Sequence, residues 1–152
     1  NVLPRAFLVG KYRIVANPEI AKSILLSADF DPAHEVILYE QPSFIGSNKA
    51  ENSSVTVEHY NTNEVIIGVA SASGGLLVLS DTFYPGWKAD VDGVETTIYQ
   101  ANVCQRAVAV PGGNHKVRFQ FASSSLAWGF GIFLCSMATM IAIAMMSRKK
   151  KA

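Results

Sequence analysis

The chain has 152 residues, of which 49% are hydrophobic and 16% are charged, and its formal net charge is +1 at pH 7. Four of its 13 Lys and Arg residues stand together at the end of the sequence, so the part before them carries more acidic than basic residues. A net-negative domain lacks the basic face that neutralises phosphates, which excludes a nucleic-acid partner. Two cysteines, Cys104 and Cys135, are too few for a disulfide scaffold, and we expect Cys104 to be a small buried apolar residue.

The first third of the chain predicts two strands around one short helix. Residues 5–15 have the composition of a strand. The helix begins with Asn17 as its N-cap and Pro18 at its first position. Its predicted apolar face consists of Ile20, Ile24 and Leu25. A second strand over 35–40 and a polar loop over 41–53 follow.

From residue 54 onward the pattern predicts strands separated by turns. The strands are expected at 54–60, 65–70, 76–79, 87–91, 105–110 and 116–121. The run 76–79 is continuously apolar, which is typical of a central strand covered on both faces. Asp92-Gly93 predicts a type I′ hairpin, and residues 111–114 are expected to link the last two strands as a pair. We therefore predict that residues 1–122 form a mainly β domain, an antiparallel, jelly-roll-like β-sandwich with one short helix.

A membrane-spanning helix is predicted at the end of the chain. Leu126 to Met146 contains no charged residue, and at about 1.5 Å per residue such a helix reaches roughly 30 Å, the hydrocarbon thickness of a bilayer. The residues predicted to set its orientation are Arg148, Lys149, Lys150 and Lys151. Because basic clusters stay on the cytoplasmic side, we expect a hinge at 123–125, a span at 126–146, a cytoplasmic tail at 147–152 and a plasma-membrane protein whose domain lies outside the cytoplasm. The missing signal peptide suggests the C-terminal part of a longer protein with earlier spans, or else a cleaved signal peptide.

Known catalytic signatures are absent from the sequence, which contains no HExxH, CxxC, GxSxG or phosphate-binding glycine loop. His34, His59 and His115 lack the spacing of metal ligands, so we predict no metal, no cofactor and no catalytic residue. Asp90 and Asp92 share one strand face, which is more typical of a solvated surface than of a pair of catalytic carboxylates.

The densest cluster of aromatic and polar residues is 79–93. Aromatic rings on the loops of a sandwich can stack on sugars, while Asp81 or Lys88 bonds hydroxyl groups. The alternative is that Tyr84 and Trp87 are core and corner residues and that Asp81 caps a turn.

The same run, LSDTFYPGWKADVDG over 79–93, resembles the signature LSDTYYPGWKAYVDGK of YfhO-type bacterial membrane proteins. The segments 1–9, 98–102, 106–112 and 115–119 continue the resemblance in order. The resemblance implies a large polytopic protein similar to GT-C glycosyltransferases, which use polyprenyl-phosphate sugars to glycosylate cell-envelope polymers. Its catalytic acids would lie in loops between earlier spans, so none can be assigned to this chain.

Three functions remain open at this point. The domain is a non-catalytic accessory part joined to the last span of such an enzyme, a membrane-anchored carbohydrate-binding module, or a purely structural module. Its expected partners are the lipid bilayer, the transmembrane part of the same protein and envelope glycan. The candidate ligand-binding residues are Asp81, Tyr84, Trp87, Lys88 and Arg106.

Overall fold

The computed structural model describes residues 3–43, 53–122 and 124–149, and in the last of these segments it describes the side chains of 128–141. The chain divides into two compact units, and the boundary lies between Phe121 and Ala122. Most of the predicted loop 41–53 falls outside the described residues. Lys150 and Lys151 also fall outside them, and so do the side chains of Arg148 and Lys149.

The described part of the first unit contains eleven strands and one helix. The strands are β1 (Ala6–Val9), β2 (Lys11–Ile14), β3 (Glu35–Leu38), β4 (Ser54–Tyr60), β5 (Glu64–Ser71), β6 (Gly75–Leu79), β7 (Trp87–Val91), β8 (Val94–Thr96), β9 (Tyr99–Ala101), β10 (Gln105–Val110) and β11 (Gly113–Phe121). The helix is α1 (Pro18–Leu25), and the second unit consists of the helix α2 (Ser124–Lys149).

The strands form two sheets, as the predicted sandwich requires. One sheet has the order β1-β6-β10-β9-β3-β2, and the other has the order β4-β5-β11-β7-β8. Buried side chains from both sheets share one core, which includes Leu77, Val108, Ile67 and Phe119. The mainly β prediction is therefore confirmed at the level of two sheets and one short helix.

The apolar run 76–79 lies where its composition predicts. Strand β6 pairs with β1 on one side and β10 on the other, and each of its residues is buried. Alternate side chains of the strand enter different cores, since Leu77 and Leu79 face the second sheet while Leu76 and Val78 join a cluster on the opposite face.

The sandwich is not wholly antiparallel, because β2 and β3 pair in parallel. The helix α1 connects them, and a parallel pair needs a crossover connection of this kind. Asn17 caps α1 as predicted, accepting a hydrogen bond from the Ile20 backbone at 3.0 Å. The predicted apolar face was partly wrong: Ala21 is the fully buried position, while Ile20 is 44% exposed. This parallel pair and the eleven strands also depart from an eight-stranded jelly roll.

Two other strand predictions were wrong in their pairing. The predicted strand 5–15 bends at Gly10, and its halves β1 and β2 lie at opposite edges of one sheet. Strands β10 and β11 do not pair with each other but belong to different sheets. The burial patterns give the reason, since β10 is buried on both faces whereas β11 alternates between buried and exposed residues.

The predicted turn at Asp92-Gly93 is confirmed, whereas the predicted burial of Cys104 is wrong. Asp92 and Gly93 have φ angles of 52° and 83°, as the predicted type I′ turn between β7 and β8 requires. Cys104 was expected to be buried but is exposed, because it lies in the turn between β9 and β10.

Helix α2 begins within the predicted hinge 123–125 and extends beyond residue 146. The described residues contain no helix that combines the length and the apolar character needed to cross a bilayer.

Candidate functional site

A cavity of 860 Å³ opens in the first unit where segments of both sheets meet. The turn between β4 and β5, the loop between β6 and β7, and the start of β10 form its walls. The lining residues are Tyr60, Asn61, Thr62, Val65, Ser80, Asp81, Thr82, Tyr84, Trp87 and Arg106. Pockets that bind small molecules commonly measure roughly 300–1,000 Å³, so this cavity is large enough for one.

The structure brings together four of the five candidate ligand-binding residues. Asp81, Tyr84, Trp87 and Arg106 all line the cavity. Lys88 does not, because side chains alternate along β7, and its ammonium instead lies 3.7 Å from Glu95.

Arg106 is the most deeply buried of these residues, with 2% of its surface exposed. Its Nη2 donates a hydrogen bond to Oδ2 of Asp81 at 3.0 Å, and its guanidinium carbon lies 4.0 Å from the centre of the Trp87 ring. Nε and Nη1 have no hydrogen-bond partner in the described part of the chain. Burial lowers the pKa of Arg106, which the adjacent Asp81 carboxylate partly opposes.

Asp81 is the centre of the polar network. Its Oδ2 also accepts a hydrogen bond from the Tyr60 hydroxyl at 3.3 Å. Its Oδ1 lies 3.9 Å from Nε of Arg5, beyond hydrogen-bonding distance, and the Arg5 guanidinium stacks 4.3 Å from the centre of the Tyr60 ring. The carboxylate is therefore held by groups from three separate strands or their ends.

The aromatic residues of the cavity differ in exposure. Trp87 is half-buried and packs against Phe121 with a centroid separation of 5.6 Å. Tyr84 is 62% exposed and lies 6.5 Å from the same Phe121 ring. Trp87 therefore packs against the core, whereas Tyr84 is exposed to solvent.

The backbone of the β6–β7 loop fixes these rings. The Phe83 amide donates to the Cys104 carbonyl at 2.6 Å, which ties the loop to the β9–β10 turn. Gly86 has a φ of 101°, and a Cβ there would come within 3.0 Å of the Phe121 ring. Glycine is therefore the residue that permits the turn between Tyr84 and Trp87.

Sequence reasoning missed Arg5 and Tyr60 as members of this network. The only signal for Tyr60 was its position next to a predicted turn, and Arg5 was assigned to the beginning of a strand. Neither signal shows that the two residues meet Asp81, because that contact depends on how the sheets pack.

The other titratable groups singled out from the sequence form local pairs. His115 and Asp92 lie 2.6 Å apart, and Asp90 accepts from Arg118 at 2.8 Å. Hydrogen bonds from the Lys116 amide and from His115 lower the pKa of Asp92, and Asp92 raises the pKa of His115. In the described residues, no three His, Cys, Asp or Glu side chains form a group that could hold a metal ion.

Comparison with known proteins identifies one family. The family model described as "Bacterial membrane protein YfhO" matches residues 45–133, which is more than half of the chain. No curated protein matches the chain, and no solved structure does.

Proposed function

Because the chain belongs to the bacterial YfhO membrane proteins, we propose that residues 1–122 form a non-catalytic extracytoplasmic accessory domain of a glycosyltransferase-like enzyme. The enzyme would transfer sugars from polyprenyl-phosphate donors to a cell-envelope polymer, and residues 126–146 would form one of its membrane spans. The family match carries this proposal, since it runs from the sandwich into the following helix.

The sequence supports the span, through its charge-free run and the basic cluster that follows. The charge-free run 126–146 is helical throughout. Its described apolar side chains are exposed, including Trp128 at 75% and Met140 at 73%. A row of exposed apolar side chains is stabilised by an apolar environment, and the basic cluster after it favours a cytoplasmic C-terminus.

The chain offers its own probe of this topology. Cys104 is an exposed free thiol in the first unit, whereas Cys135 lies within the proposed span. A membrane-impermeant maleimide should label Cys104 in intact cells, and Cys104→Ser should abolish the labelling. In the Cys104→Ser background, Ala152→Cys should react only after permeabilisation. The reverse pattern, with residue 152 labelled in intact cells and Cys104 only after lysis, would refute the proposed orientation.

The non-catalytic role is supported by the chemistry of the cavity. Among the described residues that line the cavity Asp81 is the one carboxylate, and it is bonded to a buried arginine. Hydrolysis of glycosidic bonds commonly needs two carboxylates about 5–10 Å apart, and the described lining of this cavity does not provide that pair. We therefore assign the cavity to recognition and leave the transfer chemistry to other parts of the protein.

The accessory role is tested in the membrane-embedded protein that carries this domain. Deleting residues 1–122 should reduce transfer of sugar to the envelope polymer, measured by mass spectrometry of the released glycan, while the protein still reaches the membrane. Full transfer after this deletion would overturn the accessory role. The point substitution Val94→Ala serves as a control, because Val94 is 71% exposed and lies outside the cavity.

A further inference from the structure

We infer that the cavity binds an uncharged sugar ring, with Tyr84 as the stacking surface and Asp81 as the hydrogen-bond acceptor for ring hydroxyls. This inference names a ligand for the cavity of the first unit and does not depend on the orientation of the chain in the membrane or on its role in an enzyme. Four observations support it. They are the exposure of the Tyr84 ring, the accessible Oδ1 of Asp81, the charges around the cavity and the burial of Arg106.

Tyr84 is the most exposed aromatic ring among the described residues that line the cavity. The Trp87 ring carries the Arg106 guanidinium at 4.0 Å, and the Tyr60 ring carries that of Arg5 at 4.3 Å. Tyr84 has no cation stacked on it in the described structure, and it is 62% exposed. An exposed aromatic ring at the edge of a cavity presents an apolar face to the C–H face of a sugar while its hydroxyl remains in water.

Hydrogen-bonding groups lie beside that ring. Oδ2 of Asp81 already accepts two hydrogen bonds, but Oδ1 has only the distant Arg5, and the side chain keeps 15% of its surface exposed. The hydroxyls of Ser80 and Thr82 line the same cavity. A carboxylate oxygen next to hydroxyl groups suits a polyhydroxylated ligand, because each sugar hydroxyl both donates and accepts.

The charges argue against ionic ligands of either sign. Two guanidinium groups surround one carboxylate, so the network has an excess of positive charge that repels an ammonium ligand. An anion would need accessible donors, yet Nε and Nη1 of Arg106 are buried. Arg5 is more exposed, with 54% of its side chain accessible, but it is not among the residues that line the cavity. A neutral ring therefore fits the cavity better than a phosphate, a carboxylate or an amine.

Arg106 preorganises the binding groups of this cavity. A charged side chain that is 2% exposed, with two nitrogens unpartnered in the described structure, is costly to bury. Its contacts hold both the Asp81 carboxylate and the Trp87 ring in place. Such fixed geometry is what reduces the cost of binding a ligand. Arg106 is thus a positioning residue that supports the binding groups.

The test uses the full chain in lipid nanodiscs. The chain has two tryptophans, so Trp128→Phe leaves Trp87 as the single fluorescent reporter. Neutral methyl pyranosides of glucose, galactose and N-acetylglucosamine are titrated, with glucuronate, glycerol phosphate and glucosamine as charged probes. We expect a saturable fluorescence change with at least one neutral pyranoside, at a Kd of about 1 mM or tighter.

Substitutions locate the binding. Tyr84→Ala should weaken binding about tenfold or more, equal to roughly 1.4 kcal/mol, whereas Tyr84→Phe keeps the ring and should bind nearly as well. Lys88→Ala is the matched control, because Lys88 adjoins Trp87 in sequence but lies outside the cavity. Thermal unfolding of each variant separates lost binding from lost folding.

Four results would overturn the inference: no saturable change with any neutral pyranoside, a response confined to glucuronate or glycerol phosphate, a response confined to glucosamine, or equal binding by Tyr84→Ala. None of them bears on the labelling of Cys104 or on transfer by the deletion variant, so failure here and failure of the proposed function remain distinguishable.

Discussion

We predict that replacing Asp81 destabilises the fold more than replacing its ion-pair partner Arg106. Asp81→Asn removes the one carboxylate paired with a guanidinium that is 2% exposed. Breaking a buried ion pair by removing one partner costs about 3–5 kcal/mol, because the remaining charge stays buried. An asparagine oxygen can still accept from Nη2, so we expect the lower part of that range. For a chain of this size, the unfolding midpoint should fall by about 10 °C.

The opposite substitution should cost less. Arg106→Met leaves Asp81 with 15% of its side chain exposed, with the Tyr60 hydroxyl on Oδ2 and with Arg5 at 3.9 Å. Methionine fills the space under the Trp87 ring and makes a favourable sulfur–aromatic contact. We expect a loss of about 1–2 kcal/mol, close to the value of a hydrogen bond to a charged group.

A double-mutant cycle isolates the coupling between the two residues. Asp81→Asn with Arg106→Met leaves neither charge of the pair, so its cost should approach that of Arg106→Met alone, and the coupling should approach the cost of Asp81→Asn, about 3 kcal/mol. Urea unfolding of the nanodisc-embedded chain, followed by Trp87 fluorescence in the Trp128→Phe background, measures all four variants. The matched control is the cycle of Lys88 and Glu95, whose side chains are 64% and 74% exposed and which should couple by about 0–1 kcal/mol. Equal costs for the two single substitutions, or additive ones, would show that Asp81 does not compensate the buried charge.

Three further predictions concern the core, a turn and a titrating pair. Leu77→Ala should cost about 2–5 kcal/mol, because Leu77 is fully buried between the sheets, while Leu26→Ala, at a residue 88% exposed, should change stability by less than about 0.5 kcal/mol in the same urea assay. Gly93→Ala should cost about 1 kcal/mol through its φ of 83° alone, since a Cβ there meets nothing within 4 Å; an unchanged urea midpoint would contradict this. His115 should titrate above about 6.5 by NMR, and Asp92→Asn should lower that pKa. The stability from His115 is complete below about pH 6.5 and is lost as the pH rises through its folded-state pKa, whereas that from Asp92 is complete above about pH 4 and is lost as the pH falls through its own. The pair should therefore stabilise the fold most between about pH 4 and 6.5, and a His115 pKa that does not respond to Asp92→Asn would exclude the hydrogen bond.

Local sequence signals predicted the elements that depend on local physics. Asn17 and Pro18 marked the start of α1 because a cap and a fixed φ act within one helical turn. Asp92-Gly93 marked its hairpin because the turn itself demands positive φ. The run 76–79 marked a central strand because burial on both faces leaves no polar position.

Pairing between distant strands could not be predicted in the same way. The glycine-rich link 111–114 has the composition of a hairpin, yet the chain uses it to pass from one sheet to the other. The break at Gly10 sends β1 and β2 to opposite edges, and the pattern of 5–15 contains no sign of that separation. Both outcomes depend on which buried faces meet, and that information is spread over the whole chain.

In the candidate site, too, contacts within one motif could be predicted from the sequence, whereas contacts between distant segments could not. Asp81, Tyr84 and Trp87 lie within one short motif, so their proximity follows from the sequence. Lys88 belongs to the same motif, but strand alternation turns it to the other face. Arg5 and Tyr60 come from far along the chain and join the network only through packing.

Arg106 connects the fold of this domain to its proposed binding site. It lies in β10, a strand with buried residues on both faces, and its guanidinium occupies a place where an apolar side chain would avoid the cost of burying a charge. The position is instead used to hold the Asp81 carboxylate at the cavity wall and to cover one face of the Trp87 ring. Covering that face leaves Tyr84 as the more exposed ring of the motif, so the same contact that stabilises the motif also favours stacking of a sugar on Tyr84. Arg106→Met should consequently weaken sugar binding even where the domain remains folded, because Asp81 then loses its fixed position.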